Sequence, residues 1–172
     1  EQLEVRELAA TLFAERAGTD RVRAAERTDE RVDRELWSDL AATGLLGLAL
    51  PEGTGGAGLG LIELCLVLEQ QGRHVAPVPL WQCAVAALAL ARSGTDEQRT
   101  ALLPAVADGS LILSVALEEF GIGEPDRPGT TARQDGSGWR LNGTKAAVPY
   151  AHIADRVLVS AATPAGPALF LV

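Results

Sequence analysis

Gly136–Asp155 reads GSGWRLNGTKAAVPYAHIAD, and this stretch decides the fold. Asp135-Gly136 lies at its edge and Asn142-Gly143 lies inside it. Dipeptides of this kind tolerate the positive φ of tight hairpins, so each predicts a reversal between strands. The segments around them are short and half apolar: Thr130–Gln134, Trp139–Leu141, Thr144–Val148 and Arg156–Ala161. Together they predict an antiparallel meander.

Before Ser110 the chain reads as a series of helices with connections between them. Val5, Leu8, Ala9, Leu12 and Phe13 keep the i, i+3, i+4, i+7, i+8 spacing of an amphipathic helix. Thr19–Arg34 is dominated by Arg, Asp and Glu, and is expected to be a solvated connection with at most a helical turn. Asp33 can cap a helix carrying Leu36, Trp37, Leu40 and Ala41, which Gly44 ends. Leu61–Gln71 and Leu80–Ala91 are apolar nearly all round, so both are expected to be central helices. Between them, Pro77 and Pro79 exclude a helix. Thr95-Asp96-Glu97-Gln98 has the form of a capping box and opens a helix burying Leu102, Leu103 and Val106, with Gly109 as its stop.

The expected fold is therefore α+β, with a helical domain over residues 1–109 and an antiparallel, barrel- or sandwich-like β domain over 110–172. LILSVAL, Leu111–Leu117, is its first strand, and Thr163–Gly166 is a further turn. The sequence ends on an apolar strand at Val172. An open strand of this kind is a liability in a finished fold, so the chain is expected to be a fragment.

Bulk properties narrow the function. The chain has 172 residues, enough for a real core, with 47% apolar and 22% charged residues. A net charge of −8 argues against a nucleic-acid surface, which needs clustered cations. Fourteen of the fifteen cations are Arg. No apolar run approaches the ~18 residues of a membrane span, and no signal peptide is visible, so the expected compartment is the cytoplasm. Cys65 and Cys83 sit in apolar helical stretches and are expected to be buried thiols.

Several motifs fail on inspection. Gly53-Thr54-Gly55-Gly56-Ala57-Gly58 satisfies G-x-G-x-x-G, but Pro51-Glu52 intervenes before it and no second parallel strand follows its helix. His74 and His152 have no metal-ligand spacing with any Cys or carboxylate. Ser114 and Ser160 lie in strand candidates with no base nearby in sequence, so no nucleophile is assigned.

The order of helices then meander resembles the acyl-CoA dehydrogenase family. That family writes the stretch as aromatic-x-L-N-G-x-K-x-W-I-T/S-N-A followed by A-D. Leu141, Asn142, Gly143, Lys145, Val148 (for Ile), Ala151, Ala154 and Asp155 match it. Pro51, Glu52, Gly55, Gly56 and Gly58 match the family's P-E-x-x-G-G-x-G loop between helices. In a third stretch, L-T-E-P-x-A-G-S-D, the matches are Leu117, Glu119 and Gly123.

The resemblance implies FAD-dependent α,β-dehydrogenation of a CoA thioester. It makes Leu117, Glu119 and Val148 candidate cofactor-binding residues and an acyl-CoA the substrate. A homologous subunit, in a homo- or hetero-tetramer, is the implied partner. The catalytic Glu of the family belongs to a C-terminal helical domain beyond Val172, so no catalytic residue is assigned here. The departures fall on the flavin: Glu118 stands for the Thr, Ala147 for the Trp, Pro149 for the Thr or Ser, and Tyr150 for the Asn. They imply the flavin-degenerate subunit of a hetero-oligomeric enzyme. The alternatives are a self-sufficient FAD enzyme and a non-catalytic acyl-CoA-binding or scaffold protein.

Overall fold

The computed structural model describes residues 1–121 and 126–172. Six α-helices precede a mixed five-stranded sheet, and the chain divides into two compact units, Glu1–Ile112 and Leu113–Val172.

The first unit holds α1 (Gln2–Arg16), α2 (Thr19–Glu26), α3 (Arg34–Ala42), α4 (Leu61–His74), α5 (Leu80–Ser93) and α6 (Asp96–Ala107). Helix α1 buries Val5, Ala9 and Phe13, one residue per turn, and leaves Leu8 exposed. The expected solvated connection contains α2 instead. Its Arg21 makes a two-pronged pair with the buried Asp33, at 2.7 Å and 3.0 Å. The charges that made this segment look solvated are what hold its helix in place. Asp33 also caps α3 by accepting from the Leu36 N–H at 3.0 Å. Burial works against the Asp33 carboxylate, but Arg21 and the Leu36 N–H outweigh it and hold the group below the usual carboxylate range.

Helix α5 is the central one, with Leu80, Cys83, Ala84, Ala86, Ala87 and Leu90 buried. Helix α4 departs from expectation. It buries a single stripe, Leu64, Val67 and Gln70, and leaves Leu61 and Ile62 66% and 62% exposed. Cys65 is exposed too, so only Cys83 is a buried thiol. Apolar composition all round a helix does not say which side finds a neighbour, because much of any protein surface is apolar. Helix α6 opens with the Thr95–Gln98 capping box and buries Leu103 and Val106, while Leu102 is only half-buried. The Trp37 indole N–H donates to the Gly109 carbonyl at 2.9 Å, joining α3 to the turn that ends α6.

The glycine loop folds back on the chain before it. Ala57, Gly58 and Leu59 donate their N–H groups to the carbonyls of Gly47, Leu50 and Leu48. At Gly56 a Cβ would lie 2.1 Å from the Leu50 oxygen, so only glycine allows this approach. No strand precedes the loop, and these three amides are spent on the chain itself.

The second unit holds β1 (Leu113–Ala116), β2 (Thr131–Asp135), β3 (Gly138–Asn142), β4 (Arg156–Thr163) and β5 (Gly166–Leu171). Strand β4 is central. β5 pairs with it antiparallel through the Thr163–Gly166 turn, and β2 pairs with β3 antiparallel across Gly136 and Ser137. β1 runs parallel to β4 from Leu113 opposite Arg156 to Ala116 opposite Val159, and β2 joins β4 in parallel at Thr131 opposite Ala162. The sheet is thus mixed and not wholly antiparallel: the long connection from β1 to β4 lets them run the same way.

Thr144–Val148, expected as a strand, is a loop. Ala147 and Tyr150 take positive φ of 48° and 52°, and Pro149 lacks an N–H, so no ladder can run through them. Asn142-Gly143 makes no hairpin either. Gly143 lets the chain pass Thr130, where a Cβ would lie 2.4 Å from Thr130 Oγ1.

Candidate functional site

Three segments of the sheet unit meet: the end of β1 (Leu117–Glu119), the approach to β2 (Pro128–Thr130) and the loop between β3 and β4 (Gly143–Asp155). They are joined by backbone and by one buried ion pair. The Ala146 N–H donates to the Glu118 carbonyl at 2.8 Å, and the Ala162 N–H donates to the Thr130 carbonyl at 2.8 Å. Lys145 Nζ lies 2.6 Å from Glu119 Oε1, with only 8% and 5% of the two side chains exposed.

Every acceptor of this carboxylate is taken up locally. Glu119 Oε2 accepts from the Gly129 N–H at 2.6 Å and Oε1 accepts from the Thr130 N–H at 2.9 Å. The Lys145 ammonium, followed by Thr130 and the Gly129 N–H, holds the carboxyl well down, at about 2. Lys145 Nζ also donates to Ser160 Oγ on β4 at 2.9 Å. A serine beside a lysine can be a nucleophile and its base. Here the lysine is engaged as a donor to a carboxylate, and Ser160 is 5% exposed, so the pair is structural. Ser114 is fully buried and its hydroxyl donates to the Pro149 carbonyl.

The other residues of these three segments differ in character. Leu117 and Val148 are half-buried, whereas Glu118 and Ala147 are exposed. Burial raises the Tyr150 phenol above its usual range, and its ring stacks with His152 at 6.5 Å between centroids. Thr130 Oγ1 is buried with no hydrogen-bond partner among the described residues. Gly123, the last of the three matches in its stretch, lies outside the described residues.

A flavin edge asks its pocket for hydrogen-bond donors, and its ring asks for a flat apolar wall. The side chains at the three places named from the sequence supply neither. Glu118 has no hydroxyl of the kind a Thr offers; Ala147 has no ring; Pro149 has neither hydroxyl nor N–H. At these three positions any donor would have to come from the backbone, so these three side chains do not supply what a flavin asks for.

The Glu119–Lys145–Ser160 cluster was not visible as a unit in the sequence, where spacing gives no hint of it. One signal was available: Lys145 is the only lysine beside fourteen arginines. Among the described residues no group of three or more His, Cys, Asp or Glu could hold a metal ion, and no helix is long and apolar enough to cross a membrane.

The model of the acyl-CoA dehydrogenase N-terminal domain matches residues 1–110. Acyl-CoA dehydrogenase FadE27 of Mycobacterium tuberculosis is 41% identical over 152 residues, covering 87% of this chain and 39% of its own. A variant of the Tcur3481-Tcur3483 steroid ACAD is 59% identical, with a TM-score of 0.96 over 100% of this chain and 47% of its own. The ChsE4-ChsE5 complex from Mycobacterium tuberculosis is 37% identical, with a TM-score of 0.90 over 99% of this chain and 46% of its own. The chain therefore spans less than half the length of these relatives.

Proposed function

The chain belongs to the acyl-CoA dehydrogenase family, and from that premise we propose that it is part of the flavin-degenerate subunit of a hetero-oligomeric enzyme. The enzyme would introduce a Cα–Cβ double bond into a CoA thioester. The observation that carries this reading is the set Glu118, Ala147 and Pro149, spread over the segment after β1 and the loop between β3 and β4, where no side chain supplies the hydroxyls or ring that the family's flavin stretches carry. Side-chain donors to a ligand are worth about 1–3 kcal/mol each. Losing the hydroxyls and the ring wall together is enough to abolish binding that one loss would only weaken.

Likeness to the Tcur3481-Tcur3483 steroid ACAD and the ChsE4-ChsE5 complex supports a two-component assembly, and the first of these supports a steroid acyl group as the substrate class. In this reading the partner subunit holds the FAD. Leu117 and Val148 line the vestigial position, and Glu119 stays behind them with its carboxylate committed to Lys145.

The test is flavin absorbance per chain, read beside the mass of the complex. The full-length protein made alone is expected to be colourless, and coexpression with a flavin-competent paralogue to give a yellow complex with fewer flavins than chains. One flavin per chain in a homo-oligomer would overturn the reading in favour of a self-sufficient enzyme. Acyl-CoA binding with no flavin in any complex would overturn it in favour of a scaffold. Restoring the family's side chains together, Glu118→Thr, Ala147→Trp and Pro149→Thr, is expected to raise the flavin content of the subunit itself.

A further inference from the structure

We propose that Glu119 and Lys145 are positioning residues, whose buried pair fixes the path of Ala146–Tyr150. The inference rests on the function proposed above only for what that loop once faced.

Two residues of the loop, Ala147 and Tyr150, hold left-handed backbone conformations at φ 48° and 52°. Side chains other than glycine adopt this region at a cost, and such conformations persist only where the surroundings over-determine them. Restraints on the loop among the described residues include Lys145 held by Glu119 and Ser160, the Ala146 N–H on the Glu118 carbonyl, the Ser114 hydroxyl on the Pro149 carbonyl, and the Ile153 and Ala154 N–H groups on the Tyr150 carbonyl. Of these, only the ion pair reaches all three segments at once. Glu119 holds the approach to β2 through the Gly129 and Thr130 amides, and Lys145 enters the strained turn two residues before Ala147.

Charge alone would not need this arrangement. A buried pair is often no more stabilising than apolar residues of the same volume, so its use here points to specifying a conformation. The residue chosen agrees. Arginine serves at every other cationic position of the chain, yet this one takes the compact ammonium, which meets Glu119 and Ser160 together. A planar guanidinium on a longer stem presents its donors in a fixed fork and would meet these two acceptors differently.

The experiment is a set of variants of the full-length protein, in its complex where one forms: Glu119→Gln, Lys145→Met, the double variant, and Lys145→Arg. Amide hydrogen exchange is followed in peptides covering 143–150 and 156–171. The single variants are expected to speed exchange at 143–150 at least tenfold. The double variant leaves no unpaired buried charge and should recover much of the lost stability, while its 143–150 exchange stays fast. Lys145→Arg keeps the charge and should open the loop as well. In the unaltered protein, acylation of Lys145 by an amine-reactive ester should be at least tenfold slower than in Glu119→Gln.

Wild-type exchange at 143–150 in the double variant would overturn the proposal, since the loop would then keep its path without the pair. So would an acceleration spread evenly over 156–171, which reports stability alone. Rapid acylation of Lys145 in the unaltered protein would overturn it even if every variant failed to fold. None of these readouts needs flavin, so a failure of the degenerate-subunit reading, seen as one flavin per chain, stays distinguishable from a failure of the clasp.

Discussion

The helical unit and the sheet unit hold their shapes by different means. In the first, the fully buried side chains are apolar: Phe13, Leu36, Leu40, Leu45, Leu80 and Leu103. Most of its ion pairs lie at the surface, as Arg73–Glu69 and Arg34–Glu30 do, where such pairs contribute little. In the second, the strands are short and the loops are held by Lys145, Glu119, Ser160 and a few backbone amides. Apolar packing tolerates approximate geometry, whereas a buried carboxylate with three donors tolerates very little. The unit that carries the candidate site is the one whose loops are fixed by polar chemistry.

The largest effect should come from the helical core. Phe13→Ala, at a side chain with no exposed area, should cost about 3–5 kcal/mol in urea titration. A loss below about 1 kcal/mol would show that α1 does not seal the unit. Lys145→Met should cost about 3 kcal/mol, because it leaves the Glu119 charge buried and unpaired. A loss no larger than that of an exposed pair would erase the contrast between the units.

Acid sharpens the same comparison. The Glu119 carboxyl sits at about 2 in the folded protein against an ordinary 4.5, so it stabilises fully above pH 4.5. That contribution falls as the pH drops from there towards 2, because the unfolded chain then binds the proton more readily. Denaturation across pH 7 to 2.5 should show this loss, and Glu119→Gln should flatten it. An unchanged slope in Glu119→Gln would assign the acid sensitivity to other carboxylates. Asp33, also held below its usual range, acts in the same direction. Asp33→Ala should cost about 1–2 kcal/mol by removing the cap of α3 and the anchor of α2. The smallest effect belongs to Ile62→Ala, where 62% exposure leaves little to lose and less than about 0.5 kcal/mol is expected.

What the sequence made legible is what short-range chemistry decides. Asp33 and Thr95 cap their helices as read, because a cap depends on its own next three residues. The Thr163–Gly166 turn is likewise local. Parallel pairing of β1 with β4 depends on strands far apart in the chain, and no nearby residue encodes it. The exposure of Leu61 and Ile62 depends on what packs beside α4, which an apolar count cannot say. At the site, the missing donors at Glu118, Ala147 and Pro149 could be read directly. The clasp behind them could not, because Glu119 matched a cofactor-binding pattern and the partner that occupies it lies on another loop.

The bond from the Trp37 indole to the Gly109 carbonyl bears on the order in which the helical unit assembles. Helices α3 and α6 can start from their own side-chain caps, but this bond closes a loop of more than seventy residues, and contacts so distant are slow to form. Trp37 is 4% exposed in the finished fold. With Trp81 and Trp139 replaced by Phe, its emission should therefore reach the native value only after helical circular dichroism has mostly recovered, which makes this indole a clock for the final step of refolding.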